Sequence, residues 1–280
     1  MITAFAVTFL PSASGQNPVL DSLQALLPQA KEDTNKVILL GDIAFYLYNT
    51  DPEQSLLYSD SALHLAQQLN YGKGQMNALY KRAIANYSLG RYSEAIEAAE
   101  AALAKAEEIG YETGKYFCYN ILGIIYRATS DADKALEYGF LSSQFSKEHG
   151  DTISEAIALS NIGTIYLDFR DTANAKKYFL EAAETFRNAA LTENLTEVLT
   201  NLSTVESDTT QKLKYIQESI RLAESINYEN ALAYGYHNLA SFVWKDRWQP
   251  EQARGLYQKA IAFGEKTGDF YETTLLYTDL

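Results

Sequence analysis

A short pattern of aliphatic, small and aromatic positions recurs along the chain. It is clearest in "NILGIIY", which begins at Asn120, and it returns in "SNIGTIY", "TNLSTVE" and "HNLASFV". One small residue follows the aliphatic position in each segment, and the separation between copies is about forty residues, the kind of fixed period that marks repeat architectures. The pattern predicts six copies of one helical unit. Their small residues are Ala44, Ala83, Gly123, Gly163, Ser203 and Ala240.

The second half of each copy carries its own pair of small residues. Ala95 and Ala102 are an example, and their spacing of seven residues is close to two helical turns, so both lie on one helix face. We expect the first helix of the same copy to pack closely against that face, ridge into groove. Copy five departs from the pattern, because Lys212 takes the first small position and the connection before it is shorter. We expect a local change of superhelical twist and a flexible joint there.

Several residues predict where helices begin and end. Asp51 and Pro52 are typical of an N-cap followed by a first helical residue, and Pro250 opens the last complete second helix in the same way. Thr152 with Glu155 has the spacing of a capping box. Glycines in the turns "LNYGKG", "IGYETG" and "HGD" predict left-handed C-caps.

The segments "LGIIY" from Leu122 and "IGTIY" from Ile162, followed by Ala135 and Ala175, resemble the tetratricopeptide repeat. The period exceeds the usual value of about 34 residues, and in this the chain resembles the long-period variant of bacterial signalling proteins. The resemblance implies an all-α fold, a right-handed superhelical solenoid of antiparallel helix pairs.

The two ends of the chain differ from the repeats. Residues 1–15 form an apolar run followed by small residues, which resembles part of a signal peptide. The pattern of residues 16–33 predicts an N-terminal capping helix. Residues 34–280 are predicted to form the solenoid, with six repeats and a partial seventh. We therefore expect export, with the periplasm as destination and the cytoplasm as the alternative.

Charge and the distribution of reactive residues limit the function. A net charge of -13 opposes binding to nucleic acid and to anionic lipid surfaces. The single cysteine, Cys118, has apolar neighbours and is interpreted as a core residue. His64, His149 and His237 lie in different copies without partners at metal-ligand spacing, and the chain has no glycine-rich phosphate loop. We expect no catalysis, no cofactor and no metal.

The resemblance implies that the first helices line a concave binding surface for a polypeptide or protein partner. Aromatic residues and arginine, which often dominate interface energies, occur on this face. The acidic outer surface, including Glu97 and Glu100, is the alternative site. Two functions remain open: a protein-binding scaffold that acts alone, and an exported sensor region of a longer signalling protein such as a histidine kinase or nucleotide cyclase. The candidate contact residues are Tyr80, Ile84, Tyr87, Asn120, Arg127, Thr164, Leu167, His237 and Trp244.

Overall fold

The computed structural model describes residues 18–267, which form thirteen α-helices and one 3₁₀ turn at Leu27–Gln29. This described range contains no β-strand, and successive helices pack neighbour to neighbour. The all-α solenoid of helix pairs predicted from the repeats is thereby confirmed. The predicted signal segment and partial seventh repeat lie outside the described residues.

The chain divides into two compact units, and the boundary falls between residues 146 and 147, in the last turn of α7. Sequence analysis did not predict this division. In the N-terminal unit a short helix, α1, packs against α2, and the first helices α2, α4 and α6 lie side by side in that order. Its helices are α1 Pro18–Leu26, α2 Thr34–Leu47, α3 Pro52–Gln68, α4 Gly72–Ser88, α5 Tyr92–Glu108, α6 Glu112–Ala128 and α7 Ala132–Glu148.

The C-terminal unit repeats the same arrangement. Each helix packs against the next, and the first helices α8, α10 and α12 again lie side by side. Its helices are α8 Thr152–Asp168, α9 Thr172–Asn188, α10 Thr192–Val205, α11 Thr209–Ser225, α12 Glu229–Arg247 and α13 Pro250–Thr267.

Aspartates cap the N-termini of several helices. Asp51 accepts a hydrogen bond from the Gln54 N–H, and Pro52 is the first residue of α3, as predicted. The predicted capping box at Thr152 is wrong, because Asp151 is the N-cap of α8 and accepts from the Ser154 N–H. A carboxylate one residue earlier satisfies the free N–H groups, so Thr152 enters the first helical turn.

Most turns between helices use one left-handed residue, and from residue 70 to residue 190 these residues stand twenty apart. Gly110 and Gly150 take this conformation as predicted, but in "LNYGKG" it is Asn70 that does so, and Gly72 begins α4. Asparagine tolerates this region better than most other residues, which leaves both glycines of that turn to the next helix. The other left-handed residues are Gly90, Ser130, Arg170, Ala190, Asn227 and Trp248.

The small residues lie where the two helices of one copy meet. An alanine Cβ at Gly123 would lie 3.5 Å from the Ala135 carbonyl oxygen and 3.6 Å from the Gly139 nitrogen, so the backbone of α7 runs directly against it. At Gly163 the neighbour is a side chain, since a Cβ there would lie 2.7 Å from two ring carbons of Phe179. Both glycines therefore contact the second helix of their own copy, as the sequence predicted.

We call the residue four positions after the first small position of each second helix, or after Lys212 in copy five, the seam residue. It is buried in all six copies, and its size differs between the two units. The seam residues are Ser59, Ala99 and Gly139 in the N-terminal unit, and Phe179, Ile216 and Tyr257 in the C-terminal unit.

Copy five has a different connection between its helices. Helix α10 has 14 residues, where α4, α6 and α8 have 17, and it is followed by Glu206 in extended backbone. Glu206 is buried and accepts hydrogen bonds from Lys176 Nζ at 2.9 Å and from the Asp208 N–H at 3.1 Å. Burial raises the pKa of Glu206, but these donors and the Lys176 charge outweigh burial, so that pKa lies below its usual value. An ion pair thus anchors the shortened connection to α9.

Candidate functional site

The predicted contact residues of α4 are not equally accessible. Tyr80 and Ile84 are buried, with Tyr80 only 6% exposed. The Tyr80 ring packs 5.8 Å from that of Phe117 on α6, and burial raises the pKa of its hydroxyl. Asn120 on α6 is buried as well. These three residues therefore offer a partner little surface.

Tyr87 and Arg127 are brought together by the adjacent helices α4 and α6. Both are half-buried, and the Arg127 guanidinium donates a hydrogen bond to the Tyr87 hydroxyl. Burial raises the pKa of Tyr87, while the Arg127 charge and hydrogen bond act in the opposite direction. A hydrogen-bonded tyrosine–arginine pair is a contact point with restricted rotamers, so a partner would lose less entropy in binding it.

A half-buried lysine on α4, Lys81, was missed by the sequence analysis. Lys81 Nζ lies 3.9 Å from the centroid of the Phe45 ring and 5.4 Å from that of Tyr80. Burial lowers the pKa of Lys81 to about 8, and the Asp42 carboxylate partly opposes this. A signal was present in the sequence, because Asp42 and Lys81 each stand two residues before the small residue of their copy.

In the C-terminal unit the predicted contact residues lie on two helices that α10 separates. Thr164 and Leu167 are half-buried on α8, and the Thr164 hydroxyl donates to the Ser160 carbonyl within the same helix. On α12, the His237 ring lies 5.6 Å from the Tyr257 ring. Trp244 is 41% exposed. Trp244 therefore has the largest accessible apolar surface of this predicted set.

Three asparagines hold one register position on the first helices of this unit. Asn161, Asn201 and Asn238 each stand two residues before the small residue of copies four, five and six, and all three are half-buried. The Asn238 amide donates to the Ser203 hydroxyl at 3.0 Å, which fixes its orientation. Sequence analysis quoted these segments for their small residues and missed the asparagines, although their alignment was the available signal.

A cavity of about 240 Å³ opens beside Asn238, between α10, α11 and α12. Its apolar wall includes Ile216 and Phe242. The polar and charged lining comes from Ser203, Thr204, Lys212, Ser241, Lys245 and Asp246.

Metal ligands and the thiol of Cys118 are further candidates for chemistry in residues 18–267. No group of His, Cys, Asp or Glu in that range has the arrangement of a metal site. Cys118 is buried, and burial raises the pKa of its thiol to about 12, which suppresses the reactive thiolate. On the outer face, Glu100 accepts a hydrogen bond from the Tyr126 hydroxyl. None of the described helices combines the length and apolarity needed to span a membrane.

Comparisons with known proteins find similarity in structure alone. No protein-family model matches the chain, and no curated protein is similar to it in sequence. One similar structure is a signal transduction ATPase with numerous domains that has a tetratricopeptide repeat sensor, from Pyrococcus horikoshii. It has a TM-score of 0.71 and 18% identity, over 92% of this chain and 41% of that protein.

Two further structures match along most of the chain. Aspartyl phosphate phosphatase F from Bacillus subtilis has a TM-score of 0.66 and 15% identity, over 97% of this chain and 80% of that one. NprR in complex with its cognate peptide NprX has a TM-score of 0.63 and 18% identity, over 93% of this chain and 77% of that one. At such identities the similarity concerns the fold, and together with the helix pairs it shows that this chain has the fold of tetratricopeptide-like repeat proteins.

Proposed function

We propose that the chain is a scaffold that binds a short polypeptide along its first helices and acts by protein–protein interaction, without catalysis. The observation that carries this proposal is the row formed by Asn161, Asn201 and Asn238 on adjacent first helices. A primary amide can offer N–H donors and an acceptor oxygen, and each residue of an extended peptide backbone offers the complementary groups. At Asn238 the N–H groups donate to Ser203 and Thr200, so this residue offers a peptide its amide oxygen. Side chains of this type recognise a backbone without requiring one sequence.

The spacing of the helices sets the length of peptide that fits. Packed helices lie about 8–10 Å apart, and an extended chain advances about 3.3 Å per residue. Three successive first helices therefore correspond to about seven peptide residues. That NprR has been crystallised with a peptide supports the same use of this fold.

A binding selection tests the proposal directly. The folded protein is offered a randomised heptapeptide library displayed with free C-termini, and enriched peptides are synthesised and their affinities measured. We expect Asn201→Ala to weaken binding about tenfold, because each lost amide leaves backbone groups of the peptide unpaired. Asn188→Ala is the matched control, since Asn188 is exposed at the end of α9. A library that yields no binder, or binders that ignore Asn201, would overturn the proposal.

The same peptides distinguish the groove from the acidic outer surface. Replacing Tyr87 and Arg127 with alanine removes the rigid pair of the N-terminal unit. Replacing Glu97 and Glu100 changes the outer face, where both are exposed. A binder places the site on the outer face if it loses affinity in the Glu97 and Glu100 variant and keeps it both in the Tyr87 and Arg127 variant and in Asn201→Ala.

The second candidate is the exported sensor region of a longer signalling protein. It is favoured by the structural similarity to a signalling ATPase with a tetratricopeptide repeat sensor, of which this chain covers 41%. Two measurements test this candidate. The gene is sequenced past the codon for residue 280, and the size of the native protein is measured by immunoblot. A catalytic effector domain downstream supports the sensor, and a stop codon at that point overturns it.

Export is tested by mass spectrometry of the protein from its native host. The proposal expects a mature N-terminus near Gln16, after the small residues that end the apolar run. Recovery of a cytoplasmic protein that retains this run would contradict it.

A further inference from the structure

Copy five breaks the repeat at a single position on its second helix. The other five copies place a small, buried residue there: Ser55, Ala95, Ala135, Ala175 and Ala253. Copy five has Lys212, which is half-buried, and its first helix is three residues shorter than that of copy four. The 240 Å³ cavity lies at this irregular copy, and Lys212 is part of its wall. A long cationic side chain thus stands where the other copies have a small one, and the cavity lies next to it.

The charge of the cavity is the reverse of that of the chain. Lys212 and Lys245 both line it, and within residues 18–267 neither forms an ion pair. Asp246 is the acidic member of the lining, so the two lysines leave an excess of positive charge in a protein of net charge -13. Lys212 also stands in the first turn of α11, where the helix dipole adds positive potential. Lys212 is half-buried and Lys245 is exposed, so both ammonium groups are accessible to an anionic group of a ligand.

The size of the cavity limits the anion. Sites for cofactors and drug-sized ligands have volumes of about 300–1,000 Å³. A cavity of 240 Å³ is smaller than that and suits a single residue. Ile216 and Phe242 provide an apolar wall for an aliphatic stem, and the Ser241 hydroxyl can donate a hydrogen bond to its charged end.

We propose that this cavity binds a carboxylate of the peptide, held by Lys212 and Lys245. The proposal rests on the peptide-binding function above and adds a requirement for negative charge in the ligand. Asn238 lies in the cavity wall and in the row of asparagines. A peptide that follows the row therefore reaches the cavity at copies five and six. The carboxylate is either that of the C-terminus or that of an Asp or Glu side chain.

The first experiment does not need a peptide binder. N-acetylglycine, which has a carboxylate, and its neutral amide are titrated into the protein while the lysine ε-CH₂ signals are followed by NMR. We expect saturable shifts at Lys212 and Lys245 with the acid alone, and none at Lys214, an exposed lysine of the same helix. Equal responses at all three lysines, or none, would overturn the inference.

The second experiment uses peptides selected from the heptapeptide library. We expect Lys212→Met or Lys245→Met to weaken binding about tenfold, because a charge-assisted hydrogen bond is lost. Lys212→Arg should retain most of the affinity, and Lys214→Met all of it. Asp246→Asn should tighten binding. Equal urea midpoints for these variants show that the fold is intact.

Modified peptides identify the source of the carboxylate. Amidation of the C-terminus and replacement of Asp by Asn or Glu by Gln are compared on one selected peptide, and one of them should cause the same loss as Lys212→Met. Peptides that bind without regard to either carboxylate or to Lys212 would refute this inference and leave the proposed function standing. A library without binders refutes the proposed function and the peptide-linked role of the cavity together.

Discussion

The two units fill the space between paired helices in different ways. In the N-terminal unit the seam residue is Ser59, Ala99 or Gly139, and the facing position of the first helix is also small. In the C-terminal unit the seam residue is large, and at Gly163 the small facing residue makes room for the Phe179 ring. Protein interiors are close-packed, so the space between the two helices of a copy must be filled in both units. The comparison teaches that this space can be filled by the backbone of the second helix, as at Gly123, or by one of its side chains, as at Gly163.

Copies three and four make the comparison well controlled, because another contact across the same interface is unchanged. The rings of Tyr126 and Tyr138 stack at 5.6 Å with an interplanar angle of 2°. The corresponding rings of Tyr166 and Tyr178 stack at 5.6 Å with an angle of 1°. The tyrosine contact is therefore the same in the two copies, while the group that fills the seam differs.

The largest expected effect comes from truncating the large seam residue. Phe179 has no exposed surface, so Phe179→Ala should leave a cavity and lower the free energy of unfolding by about 3–5 kcal/mol. Its counterpart Ala99→Gly removes a single methyl group and should cost only about 1 kcal/mol. Urea unfolding followed by circular dichroism measures both, and similar losses would show that the two seams are equivalent.

The second prediction concerns the facing glycines. Gly163→Ala places a methyl group against the Phe179 ring, and we expect a net loss of about 1–2 kcal/mol after the gain in helix propensity. Gly123→Ala introduces a Cβ at ordinary contact distance and should stabilise the protein by up to about 1 kcal/mol. In the Phe179→Ala background the loss at Gly163 should disappear. A loss that persists in that double mutant means that the clash is with something other than the ring.

The third prediction uses pH to distinguish the units, since Lys81 belongs to the N-terminal unit. Its pKa falls from 10.5 to about 8 on folding, so between these values the unfolded chain binds more protons than the folded one. The stability contributed at this site should rise with pH across that window. Because Lys81 is half-buried, the expected change is about 1 kcal/mol. The measurement compares the unfolding free energies of wild type and Lys81→Met from pH 7.5 to 10. The difference between them should change with pH, and a difference independent of pH would show that Lys81 titrates normally.

The smallest effect concerns a turn of the C-terminal unit. Ala190 has a φ of 54°, where an L side chain is disfavoured, whereas Gly110 of the N-terminal unit has a φ of 64°. Ala190→Gly should therefore stabilise the protein by about 0.5–1 kcal/mol, and Gly110→Ala should destabilise it by a similar amount. Thermal unfolding of the two variants checks the opposite signs, and shifts in the same direction would contradict the backbone argument.

Much of the fold could be predicted from the sequence because repetition amplifies weak local signals. A single Gly123 means little, but six small residues in register determine the helix pairs. The site was harder to predict. Lys81 is partly covered because the packing of α2 against α4 brings the Phe45 ring to it. The cavity at Lys212 needs three helices to meet, and burial of Tyr80 depends on packing across copies that no local pattern encodes.

The constant helix length has a consequence for how such a gene changes. From α3 to α9 every helix has 17 residues and every connection between them has three, so equivalent points of neighbouring copies stand forty residues apart. Unequal recombination between two of these copies would delete or duplicate one whole helix pair and leave every remaining interface in register. Copy five, shortened by three residues in α10, does not share that spacing. The number of repeats ahead of α10 can therefore vary among descendants of this gene more readily than the arrangement that follows it.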